Sequence, residues 1–295
     1  VRDDDDGTFA ALLALSAQTV DRACTEVIVA DDGSTQMDEQ RLATALPEVV
    51  ISRGTPQGSY AARNRGASLS RGTVLAFCDA DCEPDAEWLE HGMVALEQAE
   101  VVAGAVRFRT PARPSIWTLL DVDAFLDQEW RTRQGTAATA NLFVRKDVYD
   151  SLGGFDSSLP SGGDSDFVSR ATRAGHRLAY SPHAIVFHRS RDDGRSFFAK
   201  VWRINWSYAA RETRSGRRPR GLRLRQWVPV LPLLTYRRRT WGSGRLRTNR
   251  LRANHLEATP LQELRALTVL YLVVPYVTNV AQLAGWWHAR GQRGR

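Results

Sequence analysis

Cysteine is scarce in this sequence, and a glycine-rich phosphate loop is missing. The three cysteines, Cys24, Cys78 and Cys82, are an odd set without CxxC or zinc-type spacing. Neither a disulfide framework nor a structural zinc follows from them, and a reducing compartment is the default. Without a phosphate loop, nucleotide phosphates must be met by something other than a nest of backbone amides. Formal charge is absent over residues 266–287, a stretch about as long as the ~20 residues that cross a hydrocarbon core. What is plentiful excludes disorder: 43% of the 295 residues are hydrophobic and 25% are charged. That is enough for one large domain, or a domain with an appendage. The net charge of +7 and pI near 9.8 suit an anionic partner, whether nucleic acid, a phosphorylated substrate or an anionic membrane face.

Two acidic motifs stand out, Asp31-Asp32-Gly33-Ser34 and Asp79-Ala80-Asp81. Each directly follows a short apolar run, residues 26–30 (EVIVA) and 73–77 (TVLAF), that reads as a buried strand. In open α/β sheets ligands bind at the carboxyl ends of the strands. Carboxylates gathered there point to a metal that carries the phosphates of a nucleotide substrate.

Strand and helix alternate along the chain. Phe9, Leu12, Leu13 and Ser16 share a helical face. Helices are expected over residues 36–46, 59–70 and 86–98, with strands over 49–52 and 101–108. This alternation predicts an α/β fold with a mostly parallel sheet and helices on both faces. A new unit opens at Asn141, followed by a turn at Gly153-Gly154-Phe155-Asp156, a helix over about 164–174, and short strands at 178–180 and 185–188. Val1 in place of Met, followed by Arg2 and Asp3 to Asp6, suggests that the chain begins partway through its natural sequence, at the end of a first strand.

The composition then changes. Arginines cluster at Arg217-Arg218, at Arg237-Arg238-Arg239 and over residues 245–252, around an apolar island at 227–234 broken by Pro229 and Pro232. The uncharged stretch at 266–287 follows, interrupted by Pro275, Asn279 and Gln282. A transmembrane helix, an in-plane or re-entrant membrane segment and an ordinary buried helix all fit it. The flanking arginines favour anionic lipid, on the cytoplasmic side if the positive-inside rule applies.

The runs at 26–34 (EVIVADDGS), 58–66 (GSYAARNRG) and 77–81 (FCDAD) resemble glycosyltransferase family 2. So do the later segments 153–156 (GGFD), 161–167 (SGGDSDF) and 184–188 (AIVFH), which follow in family order. The resemblance covers about residues 1–191. It implies a GT-A catalytic domain, with 192–295 as a basic, partly apolar α-helical extension. It also implies a nucleotide-sugar donor, a divalent metal (Mn²⁺ or Mg²⁺) and inversion at the anomeric carbon, as expected of a hexosyltransferase.

By this resemblance Asp81 binds the metal, and Asp79 contacts the ribose or the metal shell. His188 completes that shell or touches the diphosphate. Asp31 or Asp32 holds the nucleobase through a carboxylate that accepts its ring N–H, although DDGS also suits a turn and helix cap. Arg63 approaches the nucleotide and Asn64 fixes the loop, against the alternative of a solvated helix face. Asp164 is the candidate general base, held ionised at a helix start, and as an alternative is only that helix's cap. The family often has Glu where this chain has Gly163, so either Asp164 acts alone or Asp166 shares the role.

The chemistry needs such residues. Sugar transfer from a nucleotide requires charge to be neutralised on the departing diphosphate and a proton to be taken from the acceptor hydroxyl. The expected function is therefore metal-dependent glycosyl transfer from a nucleotide-sugar, UDP being the favoured base. A glycan or lipid-linked acceptor of the cell envelope and the cytoplasmic membrane face are expected from the basic, apolar tail. A catalytically silent nucleotide-binding module and a nucleic-acid-binding protein are the alternatives. The second is disfavoured because the arginine excess lies after Arg211, beside tryptophan-rich segments such as Trp286-Trp287.

Overall fold

A computed structural model describes residues 1–219, 246 and 248–293. The apolar island at 227–234 and the cluster Arg237-Arg238-Arg239 lie outside the described residues. The described chain forms two compact units, Val1–Arg107 with Leu126–Arg189, and Phe108–Phe125 with Ser190–Arg295.

In the first unit, helix α1 (Asp5–Ser16) begins where the Asp4 side chain accepts the Gly7 amide, and Asp5 and Asp6 fill its first turn. Carboxylates there cap orphan amides and complement the helix dipole, which accounts for most of the early aspartate run. Strands β1 (Ile28–Asp31) and β2 (Val50–Arg53) pair in parallel, joined through helix α2 (Glu39–Ala45). Val1 lies beside β1, its amine donating to Ala30 O and its carbonyl accepting from Asp32 N, both at 2.8 Å. Leu12, Val29, Leu42 and Leu46 form a core between these elements.

The larger sheet contains β3 (Val74–Cys78), β4 (Cys82–Pro84), β5 (Val101–Arg109), β6 (Asn141–Arg145) and β7 (Leu178–Arg189). They lie side by side in the order β3-β6-β5-β7-β4. Helices α3 (Ser59–Leu69), α4 (Trp88–Leu96), α6 (Gln128–Arg133), α7 (Lys146–Ser151) and α8 (Gly163–Arg173) complete the unit.

The sheet is mixed where a mostly parallel one was expected, since β3 with β6, β5 with β6 and β4 with β7 are antiparallel. Strand β6 is buried at Asn141, Leu142, Phe143 and Val144. A strand covered on both faces is a continuous apolar run in either direction, so the pattern carries no polarity. Strand β7 is also one element where two were expected. The strand continues through Pro182, and the Ser181 hydroxyl accepts the Ala184 amide at 3.2 Å.

A buried polar node anchors this sheet. Asn141 is fully buried, and its amide nitrogen donates to Ala105 O and Ala184 O at 2.8 Å while its oxygen accepts from Trp88 Nε1 at 2.9 Å. Gly104 makes room for it, because a Cβ there would lie 2.3 Å from Asn141 Nδ2. Cys78 pairs with Asn141 across β3 and β6. The strand end that leads into Asp79 is therefore fixed to this node.

The second unit holds helices α5 (Ile116–Ala124), α9 (Gly194–Arg214), α10 (Thr248–Ala253), α11 (Pro260–Thr268) and α12 (Val274–Arg293), with a π-helical turn at Val269–Val273. Residues 108–125 were expected inside the catalytic domain. They group instead with the C-terminal helices, through buried Asp121 and its ion pairs to Arg191 (3.3 Å) and Lys200 (3.7 Å). Rings of Trp117 and Phe125 pack on Phe197 of α9.

Candidate active site

The site is built where β3 ends and β4 begins. Antiparallel pairing of β4 with β7 sets Cys82 opposite His188, which brings the neighbouring Asp81 to the same imidazole. Asp81 Oδ2 lies 3.3 Å from His188 Nε2. His188 Nδ1 lies 2.6 Å from its neighbour's carbonyl, Arg189 O. A carbonyl can only accept, so Nδ1 carries a proton, and Nε2 is the nitrogen that faces the Asp81 carboxylate.

Asp81, Cys82 and His188 form a cluster whose ligand atoms lie within 4.8 Å of one another. The fully buried Cys82 thiol interacts with Cys78, and this together with burial pushes its pKa well up. The Asp81 carboxylate and the His188 imidazole are donors of the kind that divalent metals take.

Asp79 lies outside this cluster and is ion-paired with Arg63 of α3. Burial alone would raise the Asp79 carboxyl, but the Arg63 guanidinium, and then His188, hold it below the usual carboxylate range. Burial would likewise lower Arg63, and Asp79 outweighs this to raise it. Arg63 also lies over the Tyr60 ring, 5.6 Å from its centroid.

Tyr60 joins this group to Asp164. Its hydroxyl donates to Asp164 Oδ1 at 3.4 Å. Its ring fills the space beside Gly163, where a Cβ would come within 2.8 Å. Helix α8 starts behind Gly162 without any side-chain cap. Burial, followed by the Asp164 charge, pushes the Tyr60 hydroxyl up to about 12. It therefore remains a proton donor.

The other expected residues hold the scaffold. Asp31 accepts from the Ser34 amide at 3.1 Å and the Ser34 hydroxyl at 2.5 Å. Asp32 Oδ1 accepts the Gln57 and Gly58 amides at 2.8 and 2.9 Å, which ties down the loop before α3. Asn64 clamps the turn at 153–156, with Nδ2 donating to Phe155 O at 2.8 Å and Oδ1 accepting from Phe155 N at 2.9 Å and Tyr149 OH at 2.5 Å. Asp166 faces away from Asp164 into a 2.9 Å ion pair with Arg170, whose other nitrogens donate to Leu152 O and Gly154 O at 2.6 Å.

The comparisons with known proteins agree with this arrangement. The model of glycosyl transferase family 2 matches residues 8–153. Glycosyltransferase AglE of Haloferax volcanii is 35% identical over 192 residues, covering 62% of this chain and 62% of that protein. These two matches support a family 2 glycosyltransferase. A second relative, the pre-mycofactocin glycosyltransferase of Mycobacterium tuberculosis, is 28% identical over 185 residues, 59% of this chain and 39% of its own. The chain thus matches less than two thirds of the length of either relative. Among solved structures, the mannosyltransferase PcManGT of Pyrobaculum calidifontis, determined with GDP-Man and Mn²⁺, superposes with a TM-score of 0.59 at 18% identity, over 99% of this chain and 86% of that one. That likeness establishes the GT-A fold.

Among the residues expected from the family motifs, the structure therefore gathers Arg63, Asp79, Asp81, His188 and Asp164. It engages Asp31, Asp32, Asn64 and Asp166 in scaffold bonds. Tyr60 and Cys82 were not anticipated as part of the site. Both lie inside the quoted family runs or next to them, but their partners Asp164 and His188 are about a hundred residues away, beyond the reach of local pattern.

Proposed function

We propose that the chain is a metal-dependent, inverting glycosyltransferase that moves a sugar from a nucleotide-sugar to an acceptor hydroxyl. The observation that carries this is the juxtaposition of the Asp81–His188 pair, the Arg63–Asp79 ion pair and Asp164 at the head of α8. Asp81 and His188, with Asp79 beside them, would hold Mn²⁺ or Mg²⁺, and such an ion offsets the negative charge of a departing diphosphate. Arg63 would add its own charge to the phosphates. Asp164 would accept the proton of the acceptor hydroxyl as its oxygen bonds to the anomeric carbon and the bond to the diphosphate breaks on the opposite face, leaving a nucleoside diphosphate and an inverted glycoside.

Asp31, Asp32, Asn64 and Asp79 would line or support the nucleotide pocket. UDP is the favoured base from the family resemblance, and GDP enters the test because the Pyrobaculum structure holds GDP-Man. A glycan or lipid-linked acceptor in cell-envelope synthesis, at the cytoplasmic face of the membrane, is the substrate class that the basic, apolar C-terminal unit supports.

Calorimetry with UDP, GDP and dTDP, each with and without Mn²⁺, tests this on the wild type and on Asp81→Ala. Metal-dependent binding of one nucleotide that disappears in the variant is expected. Failure of a folded sample to bind any of them would move a silent module or a nucleic-acid-binding protein to the front.

A further inference from the structure

The C-terminal helical segment Pro260–Gly291 is long and apolar enough to cross a membrane, and only 39% of its most apolar window is buried. Its start is firmly set. The Thr259 side chain accepts the Gln262 amide at 3.2 Å, Gln262 Oε1 accepts the Thr259 amide at 3.0 Å, and Pro260 opens the first turn, which together form a capping box. Pro275 does not break the helix. A proline removes one helical amide and crowds the preceding turn, and the wider π-helical turn at Val269–Val273 takes up that defect.

One face of this segment packs on α9. Ala281, Gly285 and Ala289, four residues apart, are buried, and a Cβ on Gly285 would come within 2.3 Å of Trp206 O. Gln282 Nε2 donates to Asn205 Oδ1 at 3.1 Å, and the His288 ring lies 5.1 Å from that of Trp206. The opposite face is exposed and apolar, with Leu264 at 62%, Leu272 at 49%, Val280 at 44% and Trp287 at 75% exposure. Tyr276 lies on the same line. A water-facing helix surface ordinarily carries charge, yet residues 266–287 hold none.

We infer that residues 260–291 form a membrane-surface helix, lying in the plane of an anionic bilayer on the face that carries Leu264, Leu272, Tyr276, Val280 and Trp287. The charges beside it select this mode over a span. Helix α9, packed along the segment, bears Arg203, Arg211, Glu212 and Arg214, and a charged side chain at the bilayer centre is costly. An in-plane helix leaves α9 in water and buries only the stripe. The ends agree, with exposed Arg265 at one end and, at the other, Arg290 with its guanidinium 4.6 Å from the Trp286 ring centroid. Cations and tryptophans of this kind favour the headgroup layer of anionic lipid.

This deepens the membrane-associated glycosyltransferase proposed above and rests on it for its purpose, while the lipid contact is measured without turnover. The full chain is floated with vesicles of equimolar phosphatidylcholine and phosphatidylglycerol, and with phosphatidylcholine alone. The wild type should float with the anionic vesicles, bind the neutral ones less, and be released by alkaline carbonate. Leu272→Glu with Val280→Glu should lower the bound fraction by about tenfold or more, and Trp287→Ser should lower it less. Thermal melting and donor hydrolysis should stay unchanged in both variants.

A folded wild type that does not float would overturn the inference, as would retention after carbonate extraction, the mark of a span. So would a doubled mass in lipid-free solution that the glutamates abolish, since a second copy would then cover the stripe. A wild type that floats but turns over no donor would sink the glycosyltransferase and leave the surface helix standing.

Discussion

The guanidinium of Arg63, on α3, is ion-paired with the carboxylate of Asp79 just past the end of β3. The pair is half-shielded, with side-chain exposures of 19% and 31%, so removing one partner strands the other in a poorly hydrated place. Removing half of a fully buried pair costs roughly 3–5 kcal/mol, and partial exposure lowers this. Arg63→Gln should destabilise the protein by about 1–3 kcal/mol in urea unfolding. It should also weaken nucleoside diphosphate binding by about tenfold, through loss of a charge-assisted contact. An unchanged urea midpoint would mean that the pair contributes nothing to the fold.

Asp164 separates catalysis from capping. As general base, its replacement by Asn should lower kcat by about 10²–10⁴ and leave nucleotide binding intact. A carboxylate that only complements the start of α8, which has no side-chain cap, would instead cost about 0.3–1 kcal/mol of stability with kcat nearly preserved. Steady-state kinetics beside thermal melting of Asp164→Asn distinguishes the two.

Tyr60 holds Asp164 in place, through its hydroxyl and by packing on Gly163. Tyr60→Phe should reduce kcat more than it changes the donor KM. Because the folded hydroxyl is pushed up to about 12 from an ordinary 10, the folded state keeps a proton that the unfolded chain releases above about pH 10. The associated stability is fully present below pH 10 and falls as pH rises towards 12. The stability of Tyr60→Phe should therefore decline less steeply over that window than that of the wild type. Parallel urea midpoints from pH 9 upward would contradict this.

Asn141 is the polar node under the site. Asn141→Leu leaves the Ala105 and Ala184 carbonyls and the Trp88 N–H without this partner, at about 1–3 kcal/mol for each buried group. A loss of roughly 3 kcal/mol or more is expected. If chemical denaturation shows less than about 1 kcal/mol, the node is not what fixes β6 against β5 and β7.

The acidic motifs were legible because β1 and β3 are short, largely apolar runs that end in charge, a local pattern. The start of α8 was legible for the same reason, since Asp164 and Asp166 precede an apolar helical face. The direction of β6 was not, because burial on both faces erases the alternation that would orient it. Nor was the unbroken β7, which runs through Pro182, a residue that a strand tolerates at limited positions. The scaffold duties of Asp31 and Asp32 were equally hidden. DDGS has the composition of a ligand site and of a turn, and only the return of residues 57 and 58 to the Asp32 carboxylate shows which bonds it makes in the folded chain. The Asp166–Arg170 pair could have been found from its spacing of four, which favours exposed helix ion pairs.

Donor hydrolysis in the absence of acceptor tests metal-dependent glycosyl transfer most directly, followed by nucleoside diphosphate release and the configuration of the freed sugar. The account predicts release that requires Mn²⁺ or Mg²⁺, an inverted anomer, and loss of both in Asp81→Ala and His188→Ala. Turnover that persists unchanged without a divalent metal, or a folded protein that binds nucleotide and releases no sugar, would contradict it.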